Sequence, residues 1–101
     1  AAKYAAIASA ELLRGRRTEA VAAANRALDL SQSPRVRFLA ARVFAQAGET
    51  NEARAFAAML AGELQAEPRA YAKIVEAELL LAAGDPRRAA AVLGESLALL
   101  D

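Results

Sequence analysis

At 101 residues, the chain is long enough for one continuous core and too short for two. Hydrophobic residues make up 56% but aromatic ones only 5%, and the excess is alanine, about 30 residues, the strongest helix former and the smallest core filler. With 13 basic and 12 acidic residues, no cysteine and no histidine, the composition argues against a nucleic-acid footprint. It rules out disulfides and thiolate metal sites, and it withholds the commonest general base and metal ligand.

Helix throughout is the expectation, with closely spaced axes because little bulk separates them. No stretch reaches the ~20 consecutive apolar residues that span a bilayer; Leu79-Leu80-Leu81 lies between Glu78 and Gly84 and reads as part of a buried helix. The chain opens at Ala1 without a signal-peptide pattern. A piece of a longer protein is therefore expected, cytoplasmic, and from a GC-rich bacterial genome by its alanine and arginine usage.

In chain order, a first helix is predicted from about Ala2 to Arg14, with Tyr4, Ile7, Ala8 and Leu12 at helical spacing. Gly15 ends it, and Arg14, Arg16 and Arg17 stand by the negative end of its dipole. Thr18 is the expected N-cap of a second helix, with Glu19 in its first turn and Val21, Ala24, Ala27 and Leu28 on one stripe, ending near Ser31. Ser33-Pro34 starts a third, serine capping and proline at the first helical position. This helix holds Val36, Phe38, Leu39, Val43 and Phe44 and stops at Gly48.

Thr50 or Asn51 is expected to cap a fourth helix carrying Phe56, Met59, Leu60 and Leu64. Gly62 falls inside it, at a cost of about 1 kcal/mol against alanine, either for a close approach by a neighbouring helix or as a local weakness. A fifth helix is predicted from about Arg69 to Ala83, with Tyr71, Ile74, Val75, Leu79 and Leu80. Asp85-Pro86 then starts a sixth, carrying Val92, Leu93, Leu97 and Leu100. Connections of a few residues make neighbouring helices antiparallel.

The turns repeat. Gly15-Arg16-Arg17-Thr18-Glu19-Ala20 returns as Gly48-Glu49-Thr50-Asn51-Glu52-Ala53 and, more loosely, as Gly84-Asp85-Pro86-Arg87-Arg88-Ala89. The first two glycines are 33 residues apart, the next two 36, and Pro34 precedes Pro68 by 34. Such periods with two helices per unit indicate a helical solenoid, in which stacking supplies the core that a lone hairpin lacks. On the same spacing Ala8, Ala41 and Ala77 are equivalent small residues, as are Ala20, Ala53 and Ala89. A second alignment matches Tyr4-Ala5, Ile7 and Ala10-Glu11-Leu12-Leu13 to Tyr71-Ala72, Ile74 and Ala77-Glu78-Leu79-Leu80, offset by 67. It leaves two extra residues before Gly84 and predicts a lengthened fifth helix as the source of the irregular period.

The pattern resembles the tetratricopeptide repeat along the whole chain. In the first unit Tyr4, Ile7, Ala8, Gly15, Ala20, Ala27, Leu28 and Pro34 match the family's positions, with Pro34 two residues late. Ala41, Phe44, Gly48, Ala53 and Leu60 match in the second, where Arg37 replaces the family's bulky aromatic. Ala77, Leu80, Gly84, Ala89, Ser96 and Leu97 match in the third. The resemblance implies an all-α domain of three stacked antiparallel hairpins, approximately 1–33, 34–67 and 68–101, in a right-handed superhelix. It also implies a concave face built from the first, third and fifth helices. Some members grip a C-terminal carboxylate with a lysine–asparagine clamp. Here Ala5, Ser9, Leu39, Tyr71 and Val75 stand at those places, so that mode is not implied.

Catalysis finds no support among these residues. Serines 9, 31, 33 and 96 have no histidine to activate them, and Glu76 and Glu78, two apart on a helix, point in different directions. Arg14, Arg16 and Arg17 read as a solvated turn satisfying helix carbonyls rather than a phosphate contact. Arg35 and Arg42 share a helix face with Phe38, an arrangement suited to an acidic or aromatic peptide. Ser9, Phe38, Arg42, Gln46, Tyr71 and Glu78 are the residues expected to form a partner-binding face, for a protein or peptide, with no cofactor, metal, nucleic acid or membrane. The alternative is a structural spacer or homodimerisation module. In that reading Val92, Leu93, Leu97 and Leu100 of the last helix meet a second copy or a missing repeat.

Overall fold

A computed structural model describes residues 1–101 and contains six helices and no strand. They are α1 (Ala2–Leu13), α2 (Arg17–Leu30), α3 (Pro34–Gln46), α4 (Thr50–Ala61), α5 (Ala66–Ala82) and α6 (Pro86–Leu100). None is long and apolar enough to cross a membrane.

The repeated hexapeptide builds the same turn three times. Gly15, Gly48 and Gly84 have φ of 74°, 86° and 81°, the left-handed region that an L side chain enters only with strain. Each glycine N–H bonds the carbonyl three residues back: Leu12 at 3.0 Å, Ala45 at 3.3 Å, Leu81 at 3.0 Å. The next N–H reaches further, from Arg16 to Glu11 at 2.8 Å, Glu49 to Phe44 at 2.8 Å and Asp85 to Leu80 at 2.9 Å. This is the Schellman closure, which satisfies helix-end carbonyls.

Two residues after each glycine the next helix begins, at Arg17, Thr50 and Pro86. Arg16, Glu49 and Asp85 are the N-caps, so Thr18 and Thr50 or Asn51 are not caps; they lie inside the first turn. Only Asp85 among the three caps with its side chain, accepting from the Arg88 N–H at 3.2 Å. Ser33 caps α3 as its sequence indicates, accepting from the Val36 N–H at 3.3 Å.

Two boundaries move. Gly62 is the C-cap of α4, not an interior residue. A methyl built on it would meet only the carbonyl oxygens of Ala58 and Met59, at 3.6 Å, so no neighbouring helix approaches there. Leu64, past the end of the helix, is 93% exposed and Met59 is also exposed, so neither joins the core. Helix α5 starts at Ala66 rather than Arg69 and runs for 17 residues, the longest of the six. Pro68 fits its first turn because N–H groups there have no intrahelical acceptor.

Helices α1, α3 and α5 form a row, with α1 packed on α3 and α3 on α5. α2 also touches α3, and α4 also touches α5, while the first and third hairpins make no close approach. Each hairpin thus meets only its sequence neighbour. Ala8, Ala20, Ala41 and Ala53 are all 0% exposed, and Ala77 and Ala89 are 1%; the first four share the main core cluster and the last two a second cluster. Phe44, Leu60 and Val75 are the largest fully buried side chains, and the Phe44 ring stacks on Phe56 at 5.9 Å.

Replacing Ala41 or Ala53 by leucine is therefore expected to cost roughly 1–3 kcal/mol through overpacking. The exposed Ala90→Leu on α6 should stay within about 0.5 kcal/mol. Chemical denaturation of the three variants measures this directly.

Candidate functional site

The α3 sequence places Phe38, Arg42 and Gln46 four residues apart, on one face. Along α5, Tyr71 and Glu78 are seven apart and likewise share a face. The contact between α3 and α5 brings the two faces together. The Phe38 and Tyr71 rings lie parallel, 4.2 Å between centroids and 10° between planes. The Arg42 guanidinium sits 5.6 Å from the Phe38 ring centroid, and its Nε donates to Glu78 Oε1 at 2.6 Å. Gln46 Nε2 donates to the other carboxylate oxygen of Glu78 at 3.4 Å.

Five of the six expected face residues therefore engage one another. The ring stack adds about 0.5–1.5 kcal/mol beyond area burial. The Arg42–Glu78 pair, with the arginine side chain 43% exposed, contributes about 1 kcal/mol or less after solvent screening. Ser9 comes from α1 and makes no hydrogen bond to the others. With Arg42 and Gln46 it lines a groove of about 410 Å³ between α1 and α3, floored by Leu12, Leu39 and Val43. Leu13, 91% exposed, stands at its edge with Arg17.

Tyr71 is held at its other end too. Its hydroxyl donates to Glu67 Oε1 at 2.6 Å. That hydrogen bond, then burial, then the charge of Glu67 raise the phenol above its ordinary value, against a smaller opposing pull from Arg35. Tyr4 on α1 has the opposite surroundings: hydrogen bonding to Arg26, then that residue's positive charge, lower it, with the guanidinium 5.3 Å from the ring centroid.

Glu76 and Glu78 diverge. Glu76 pairs with Lys73 at 3.8 Å and Glu78 with Arg42, so they form no carboxylate dyad. The basic turn after α1 is partly neutralised by Glu11, which lies 3.5 Å from Arg14 and 3.7 Å from Arg16. Arg37 leaves the face altogether, meeting Glu63 at 3.7 Å and Gln32 at 3.3 Å.

At the other end of the chain, the expected α6 stripe divides. Val92 is buried, packing with Ala77 and Ala89 inside its own hairpin, so it is not part of an exposed interface. One turn on, Ser96 is buried and donates to the Ala70 carbonyl at 2.9 Å. Leu93, Leu97 and Leu100 are exposed, Leu97 by 69%, and Leu81 of α5 is exposed with them. The angular offset between the two sets is about 100° per residue, which a contiguous list of leucines and a valine hides.

A larger apolar cleft was missed from the sequence: about 550 Å³ between α4, α5 and α6, lined among others by Ala57, Ala61, Leu79, Leu80 and Leu99. Its signal lay in which alanines replace bulkier residues in the repeat. Compared with protein-family models, with curated proteins and with solved structures, the chain matches none.

Tyrosinate absorbance should resolve two titrations, Tyr4 below and Tyr71 above the ordinary 10.0. Glu67→Gln should bring the upper one down, and Tyr71→Phe should leave only the lower. Because the folded-state value of Tyr71 is raised, its stabilising effect is complete below the unfolded phenol's value. It disappears as pH rises through the folded one.

Proposed function

We propose that the chain is a protein-interaction scaffold of tetratricopeptide-like hairpins, stacked in a right-handed superhelix, that docks a peptide or partner domain against the α1–α3–α5 face. The family reading rests on the triple recurrence of one turn and on hairpins that meet only their neighbours. The functional reading rests on one observation: side chains from the three helices lie on a single surface, with an apolar-floored groove between α1 and α3 beside a braced aromatic–arginine cluster. Bracing matters because a face already ordered loses little conformational entropy when a partner arrives. The chemistry offered is binding chemistry: aliphatic floor, aromatic edge, guanidinium and amide donors.

A peptide library displayed and selected against the wild-type chain tests this. Selected peptides should lose about tenfold or more in affinity against Ser9→Trp, which fills the groove mouth without touching the α3–α5 contacts, and against Phe38→Ala/Arg42→Ala. Affinity unchanged in both variants, with helical content intact by circular dichroism, overturns the assignment of this face.

The exposed leucines of α6 favour a second reading, a spacer or homodimerisation module. A row of exposed leucines at i, i+4 and i+7 is the pattern of a helix face that packs on another helix. Sedimentation equilibrium over a range of concentrations should then show a rising mass that Leu97→Glu abolishes. A constant monomer mass removes the dimer.

A further inference from the structure

The two junctions between hairpins are built from equivalent positions, and they are not equally filled. At the first, Val21, Leu28, Phe44 and Phe56 supply the bulk; Leu28 is 6% exposed and Phe44 1%. Aligning the turns on their glycines puts Arg54, Ala61, Leu80 and Val92 at the corresponding places of the second. Three of the four lose volume and the fourth becomes a cation. The hollow left at the first junction, which Val21 and Ala47 line, is about 150 Å³. At the second, Arg54 and Ala83 take those two places and are among the residues that line the cleft of about 550 Å³.

The core breaks at the same point. Of the third hairpin only Val75 is a buried member of the main cluster, with Leu79 packed against it, while Ala77, Ala89 and Val92 form a separate one. Apolar surface left uncovered in this way forgoes the stabilisation of burial unless something else covers it.

The geometry points to this cleft as a binding site for a linear aliphatic carboxylate. Its volume falls within the ~300–1,000 Å³ usual for small-molecule sites. Eight of its twelve lining residues are leucine or alanine, and the other four are charged, Arg54, Arg69, Lys73 and Glu76; none is aromatic or neutral polar. An extended peptide would find few partners there for its main-chain N–H and C=O groups, whereas a polymethylene chain needs none. The charged groups fit the other end of such a ligand. Lys73 is already engaged by Glu76 at 3.8 Å and Glu95 at 3.6 Å. Arg54 and Arg69, both lining the cleft, have no carboxylate within salt-bridge distance. A guanidinium lining an apolar trough suits a carboxylate, and two such groups line this one.

None of Ser9, Phe38, Arg42, Gln46, Tyr71 or Glu78 lines this cleft, so it stands or falls separately from the docking face. Dodecanoate, titrated calorimetrically below its micellar concentration, is the probe, with dodecyltrimethylammonium as the chain-matched cation. Saturable one-to-one binding of dodecanoate is expected, about tenfold or more tighter than the cation. Arg54→Ala/Arg69→Ala, both on exposed residues, should remove that preference. Ala61→Leu, which restores the leucine of the first junction, should abolish binding and raise the melting temperature. Absence of saturable dodecanoate binding, equal binding of the two amphiphiles, or unchanged binding in Ala61→Leu overturns the proposal.

Discussion

Everything in this fold depends on how closely the two helices of each hairpin approach. Alanines 8, 20, 41, 53, 77 and 89 are at most 1% exposed, which leaves no room for a larger side chain. Close axes bring many backbone and Cβ atoms into van der Waals range, so a chain with few aromatics still forms a dense interior. The left-handed glycines serve the same constraint. They reverse the chain with one intervening residue, and the helices leave the turn already near one another.

Stacking the hairpins then uses the larger residues. Phe44 and Val75 are fully buried in the main core cluster, and Phe38, Tyr71, Arg42 and Glu78 link α3 to α5 across the surface. That link lies on one side of the second junction, while an open cleft lies between α4, α5 and α6. A junction braced on one side can hold its geometry and still leave space between α4 and α6. Within the third hairpin Ser96 donates to the Ala70 carbonyl, in a position where the second hairpin has the buried Leu60.

Much of this was legible beforehand because it is local. Six helices, the three glycine turns, the Ser33 and Asp85 caps and the burial of the six alanines follow from residue type and spacing. The misplaced caps at Thr18 and Thr50 have a local cause too. The glycine turn fixes the next helix start two residues later, and that closure outweighs the preference of a hydroxyl side chain for the cap. Gly62 shows the converse: with Gln65 available to open α5, the chain ends α4 at the first glycine rather than carrying it inside.

By itself the sequence determined an all-helical chain of three hairpins, and it singled out the side chains that share a face on α3 and on α5, since periodicity is a property of one helix. Only the tertiary structure decided that those faces meet, turning candidate ligand-gripping groups into partners of one another. It also decided that Val92 points inward while Leu93, Leu97 and Leu100 point outward, and that one junction is filled and the next is not. Each of these depends on how one helix is rotated and spaced against another. That geometry is set by the summed volume of residues far apart in the chain, such as Leu28 with Phe44 or Ala61 with Leu80.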